Sequence, residues 1–225
     1  MKKVALLAVC VFAFSISAIS QFSFGPRAGI NLTQQRFTSE YKVFRQGFVG
    51  GVMLKYEVND LFSIQPELLF SQKGVHTDED GDDFHDKLLN YIELPVMGKF
   101  IAGKDFFNFY INAGPYTAFL VSGKTSYSKT VVQGGADVVL SDESPIDFSE
   151  DTKQNRIDFG LSLGLGFEFE VGRNGRIITD LRWDIGFPET YEDVDPAFPS
   201  IFISQEETMN RALGITVGYI FGSND

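Results

Sequence analysis

The stretch Arg156–Val171, RIDFGLSLGLGFEFEV, decides the fold. Ile157, Phe159, Leu161, Leu163, Leu165, Phe167, Phe169 and Val171 take the odd positions. Arg156, Asp158, Gly160, Ser162, Gly164, Gly166, Glu168 and Glu170 take the even ones. A strand sends successive side chains to opposite faces, so this is one strand with an apolar face and a polar, glycine-rich face. The next segment, Arg176–Phe187, repeats the pattern, with Ile177, Thr179, Leu181, Trp183, Ile185 and Phe187 against Arg176, Ile178, Asp180, Arg182, Asp184 and Gly186.

Six further segments alternate in the same way: 22–32, 47–58, 61–73, 88–101, 106–123 and 209–221. No segment of residues 21–225 sustains a helical period over three turns. Short connections at 58–61, 102–105 and 172–175 alternate with long ones at about 33–46, 74–87, 124–155 and 188–208. In an up-and-down meander, all short turns then fall at one end and all long loops at the other. The expected fold is therefore all-β: an eight-stranded antiparallel transmembrane β-barrel with short periplasmic turns and long extracellular loops. Pro66, Pro95 and Pro115 fall inside strand segments, remove ladder donors and predict bulges or local breaks, with register open around them.

Alternation does not say which face is outside. A soluble periplasmic binding barrel would put the apolar set inward. Three features favour lipid contact. Glycines crowd the polar face, which suits the narrow interior of eight strands. Aromatics gather toward strand ends, Phe22, Phe24, Tyr56, Phe62, Phe100, Phe107, Phe109, Phe167, Phe169, Tyr219 and Phe221 at the short-turn end, and Phe48, Phe70, Phe119, Phe159, Trp183 and Phe187 at the other. Such girdles mark the two membrane interfaces. A ligand barrel has no need of four long loops at one rim.

Composition narrows the rest. The chain has 225 residues, 30 Asp+Glu against 19 Lys+Arg, and a formal net charge of −11. That balance argues against nucleic acid as a partner. One cysteine, Cys10, rules out a disulfide framework. Met1-Lys2-Lys3, the apolar run Val4–Ile16 and the small residues Ala18-Ile19-Ser20 read as a signal peptide over 1–20, with the barrel domain over 21–225. Localisation in the outer membrane after export follows.

The polar faces are nearly balanced in charge. An interior ion network is expected from Arg27, Lys55, Glu67, Glu93, Lys99, Arg156, Asp158, Glu168, Asp180, Arg182 and Asp184, since buried charges are tolerable when paired. A selective channel would carry a surplus of one sign. The four long loops hold 19 acids and 7 bases. The densest run, Asp78-Glu79-Asp80-Gly81-Asp82-Asp83, fails as an EF-hand because His76 and Lys87 would occupy the first and last ligand positions. Asp78, Asp80, Asp82 and Asp83 remain weak candidates for a looser divalent site, and no cofactor is expected. His76 and His85 make no triad, and Gly-x-Ser-x-Gly, Walker and His-Glu-x-x-His motifs are missing, so no enzymatic activity is expected.

Several segments resemble the outer-membrane β-barrel domain family, the "porin family" or PorT-like group. They are Phe24-Gly25-Pro26-Arg27-Ala28-Gly29-Ile30-Asn31, Gln65-Pro66-Glu67-Leu68-Leu69-Phe70-Ser71-Gln72-Lys73-Gly74, Tyr91-Ile92-Glu93-Leu94-Pro95, Gly114-Pro115-Tyr116, Asp158-Phe159-Gly160 and Gly218-Tyr219-Ile220-Phe221. The resemblance implies an eight-stranded barrel in a Gram-negative outer membrane, with outer-membrane lipid and the assembly machinery as partners. The functional expectation is a non-enzymatic barrel with a structural or loop-mediated role. The alternatives are a narrow porin for small solutes and a secretion-associated PorT-like barrel. The sequence names no extracellular or periplasmic protein partner.

Overall fold

The computed structural model describes residues 22–35, 42–43, 45–78, 84–104, 106–133, 136–145, 156–172, 175–187 and 210–222. Residues 1–20, with the expected signal peptide, lie outside them, as does the loop 188–208. Among the described residues ten strands form one antiparallel sheet: β1 (Phe22–Gln35), β2 (Lys42–Val43), β3 (Arg45–Asn59), β4 (Phe62–Asp78), β5 (Phe84–Lys104), β6 (Phe107–Gln133), β7 (Ala136–Pro145), β8 (Ile157–Glu170), β9 (Gly175–Gly186) and β10 (Asn210–Phe221).

Eight of these are staves. Each pairs with two neighbours in the order β1, β3, β4, β5, β6, β8, β9, β10, and the β1–β10 ladder closes the ring. The eight-stranded antiparallel barrel expected from period-two alternation is the observed fold. The other two strands are additions: β2 pairs with Thr77 and His76 on β4, and β7 pairs with β6.

Residues of the long connections continue the strands further than the alternation suggested. β4 runs to Asp78, β5 starts at Phe84, and β6 continues to Gln133 before β7 returns as a hairpin. Much of 74–87 and 124–145 is therefore sheet rather than loop. The polar, β-branched sequence there obeys no lipid constraint and so carries no clean alternation.

The prolines also differ from expectation. Register is unchanged across all three: Met53↔Glu67 and Tyr56↔Ile64 flank Pro66 on one side, and Pro66↔Val96 and Leu69↔Glu93 flank Pro95. Pro115 pairs with Leu161 in an unbroken β6–β8 ladder. Individual pairings drop out near the prolines, as lost donors require, but no bulge forms there. The register shifts fall instead at Glu57/Asn59 and Asn90/Tyr91.

The facing is that of a membrane barrel. Leu161, Leu163, Leu165, Trp183, Ile215 and Val217 are all exposed on the outer wall, while Asp158, Ser162, Glu168, Asp180, Arg182 and Asp184 are buried. The alternative with the apolar set inside is not the structure. So large an apolar surface needs lipid to cover it. At the short-turn end the aromatics form ring contacts: Phe22–Tyr56 at 4.9 Å, Phe62–Phe100 at 5.0 Å, Phe107–Phe167 at 5.3 Å and Tyr219–Phe221 at 4.6 Å. Toward the other end Phe159 meets Phe187 at 5.6 Å.

Candidate functional site: the filled interior and the outer sheet

Inward positions on the staves bring together charges that are far apart in sequence. At mid-height Glu67 on β4 accepts from Arg27 on β1 at 2.5 Å and from both terminal nitrogens of Arg182 on β9 at 2.9 and 3.0 Å. Asp180 accepts from Arg27 at 3.1 Å and from Arg182 at 2.8 Å. Arg27 also donates to the Thr216 hydroxyl, and Gln65 donates to Glu67 at 2.6 Å. Two guanidiniums thus face two carboxylates, and their planar forks can engage both oxygens of a carboxylate.

Toward the short turns, Glu168 on β8 receives Lys55 at 3.0 Å and Lys99 at 2.7 Å. The Lys99 ammonium also lies 3.7 Å from the centroid of the Tyr110 ring and 3.1 Å from the Gln65 side-chain oxygen. Around and below these charges Met53, Tyr110, Ile178 and Ile220 form a buried apolar cluster. Toward the long loops, Lys73 meets Glu93 at 3.0 Å and Asp158 at 3.9 Å, under the rings of Tyr116 and Tyr91 at 4.6 and 5.7 Å. Asp184 accepts from Ser162 at 2.6 Å. A second apolar cluster of Leu89, Tyr91, Tyr116, Ala118 and Leu120 lies on that side.

The interior is therefore filled by ion pairs interleaved with two apolar clusters, and Arg176 with Glu57 at 3.2 Å and Glu170 at 3.3 Å adds a less buried ionic group beside the short turns. Five cations and six carboxylates are buried there: Arg27, Lys55, Lys73, Lys99 and Arg182 against Glu67, Glu93, Asp158, Glu168, Asp180 and Asp184. Such groups are tolerable out of water because each has an opposite charge or a hydrogen-bond partner close by. A cavity of about 20 Å³, lined in part by Arg27, Asn31, Glu93, Arg182 and Asp184, remains between the middle and upper tiers. That is room for about one water molecule.

Ten of the eleven residues expected inside occupy this interior. Arg156 does not. It is exposed just before β8, donates to the Leu120 carbonyl at 3.3 Å, and lies 4.8 Å from the Phe119 ring centroid on the outer wall. Arg156 lies one residue before the strand begins at Ile157, where alternation no longer fixes the side chain. Lys73 belongs to the interior as a central cation, and its even spacing with Ser71 was the available signal. Tyr110 and Tyr116 also fill it, and alternation alone gives no measure of how far they reach.

At the outer rim Arg45 on β3 grips Asp86 on β5 through two bonds of 2.7 Å, and the His76 ring on β4 lies 3.3 Å from the same carboxylate. Burial opposes the charge of Asp86, but the Arg45 hydrogen bonds and positive charge, together with His76, hold its carboxyl below the usual aspartate range. The weak metal candidates Asp80, Asp82 and Asp83 lie outside the described residues, and Asp78 is described only as the end of β4. Among the described residues no group of three or more His, Cys, Asp or Glu is arranged to hold a metal ion.

The chain was compared with known proteins. No curated protein matches it. Among solved structures it is similar to the attachment invasion locus protein Ail of Yersinia pestis, at 15% identity and a TM-score of 0.42 over 89% of this chain and 99% of that one. It is also similar to Neisserial surface protein A, at 13% identity and a TM-score of 0.46 over 90% and 97%. The outer membrane protein OprG of Pseudomonas aeruginosa matches at 10% identity and a TM-score of 0.49 over 91% and 98%. The sequence profile described as "Outer membrane protein beta-barrel domain" matches residues 14–192, most of the chain. With its closed ring of eight staves and outward apolar wall, this chain belongs to the outer membrane protein β-barrel domain family.

Proposed function

We propose that this protein is an occluded, non-enzymatic outer-membrane barrel that works through its extracellular sheet and loops rather than through its lumen. The observation that carries this reading is the filled interior. Arg27, Glu67, Asp180 and Arg182 bond across the lumen at mid-height, and apolar clusters around Tyr110 and Tyr116 lie toward the two ends. A conducting path needs a continuous polar lining and a surplus of one sign for selectivity. Here opposite charges are locked to each other, and little space remains between them.

The outer parts have the opposite character. β4, β5, β6 and β7 continue past the outer aromatic girdle as an extended sheet, and the acidic loops attach at the same end. Loops carried on a rigid scaffold are the usual place for recognition. The test is a planar-bilayer recording of the refolded chain. The expected result is a flat trace without discrete steps. Reproducible unitary steps would replace this reading with a narrow pore for small solutes.

A further inference from the structure

β6 and β7 continue where the other strands stop. From Phe119 at the outer girdle, β6 runs fourteen more residues to Gln133, a reach of about 45 Å along the strand at roughly 3.3 Å per residue. β5 accompanies it as far as the pair Phe84↔Ser128, and beyond that point, among the described residues, β6 pairs with β7. Among the described residues β7 pairs with no strand but β6, and none of them supplies a backbone partner for its far edge. Proteins that do not use such an edge blunt it with charge, proline or a bulge. Here the register through Ala136–Gln133 and on to Pro145↔Lys124 has no shift. Proline appears only at the last position of β7. Val139 and Leu140 are 58% and 51% exposed. The charges of β7 are Asp137, Asp142 and Glu143, which leave Val138, Val139, Leu140 and Ser141 as an uncharged run between them.

We propose that the β7 edge binds a second copy of this chain, held in a facing membrane. The edge is self-complementary about Val139. An antiparallel pairing centred there sets Val139 against its counterpart, Val138 against Leu140, Asp137 against Ser141 and Ala136 against Asp142, so that no acid meets an acid. Other extended partners lack this built-in match. The symmetry then fixes the geometry. A pair of identical antiparallel strands is related by a twofold axis perpendicular to the sheet, and the interface is isologous. That axis turns the second copy end over end. Two barrels in one membrane point the same way and cannot meet so, whereas barrels in two apposed membranes can. This inference rests on the outer sheet being the working part of the protein.

The test uses the full mature chain refolded into phosphatidylcholine vesicles, with clustering followed by turbidity and dynamic light scattering. Wild-type vesicles should cluster. Val139→Glu and Val139→Lys each place like charges face to face across the dyad, and each should lose clustering. Mixing Val139→Glu vesicles with Val139→Lys vesicles should restore it, because the centre of the pairing then holds opposite charges. The site is an exposed strand position, and a heat-modifiable gel shift verifies that both variants fold. Wild-type vesicles that stay dispersed, or single variants that cluster as wild type does, would overturn the proposal, as would a mixture that fails to recover. Conductance recorded on the same preparations separates the two readings: a silent barrel that does not cluster loses this inference alone.

Discussion

One side of the cylinder is built to the thickness of a membrane and the other is not. Among the described residues β9 and β10 have 12 each and β8 has 14, close to the 9–11 tilted residues a bilayer needs. Next to them around the ring β6, β5 and β4 have 27, 21 and 17. The short staves show the strictest alternation, because every position touches either lipid or the packed lumen. The long strands keep that pattern up to the outer girdle and then lose it. Length beyond the bilayer is not required for stability, which points to a use outside.

If that division is real, substitutions within the membrane zone should act on folding and those above it should not. The largest effect is expected from Glu67→Gln. It leaves two buried guanidiniums with Asp180 as their remaining charged partner, and breaking a buried pair costs about 3–5 kcal/mol. Urea unfolding in lipid would measure it, and a loss under 1 kcal/mol would mean that the interior pairs are dispensable.

Next is Leu163→Arg on the lipid face of β8, at about 2–4 kcal/mol for a charge near the midplane. The same assay applies, and a harmless arginine would show that the outer wall does not meet acyl chains. Gly166→Ser comes third. A Cβ there would collide with the Thr179 carbonyl and stand 2.5 Å from the Tyr110 hydroxyl, and overpacking of this kind costs about 1–3 kcal/mol. Gly164→Ser should be milder than Leu163→Arg, since the nearest atoms there belong mainly to the Asn112 and Asp180 side chains.

The smallest effect lies above the girdle. Asp86→Asn removes the charge from the Arg45 clasp, a partly buried ion pair at the rim worth about 1 kcal/mol. Its signature is local: faster amide exchange in β3 to β5 beyond the girdle, with global unfolding unchanged. Because the folded carboxyl of Asp86 titrates lower than in the unfolded chain, its contribution is complete above the ordinary aspartate range. It fades as pH falls through the lowered value. Protection of the rim amides, with exchange corrected for its own base catalysis, should therefore fall as the pH drops into and below the aspartate range.

Much of this barrel is legible in sequence, for reasons that also explain what is not. Residues 157–171 reveal strand and facing because a wall between lipid and a packed lumen forces period two. The interior charges are legible as a set, since the even positions collect them. Their pairing is not: Lys55 reaches Glu168 and Arg27 reaches Asp180 across the lumen, over separations of 113 and 153 residues. No local pattern encodes such distances. Arg156 was misplaced because alternation stops with the ladder at Ile157. β7 was hidden because Ala136–Pro145 has no lipid-facing side to mark it. The prolines misled in the other direction, since a lost donor interrupts pairing without shifting register.

The β1–β10 ladder, in which Phe24 lies opposite Phe221 and Ile30 opposite Ile215, has a temporal consequence. The first and last staves are neighbours in space, so the cylinder cannot be sealed until both have arrived at the membrane. Contacts so remote along the chain slow folding. Meanwhile the apolar wall has no acyl chains around it. Until the seam closes, that wall and the two open strand edges are both available to other chains, so closure and the arrival of lipid have to coincide.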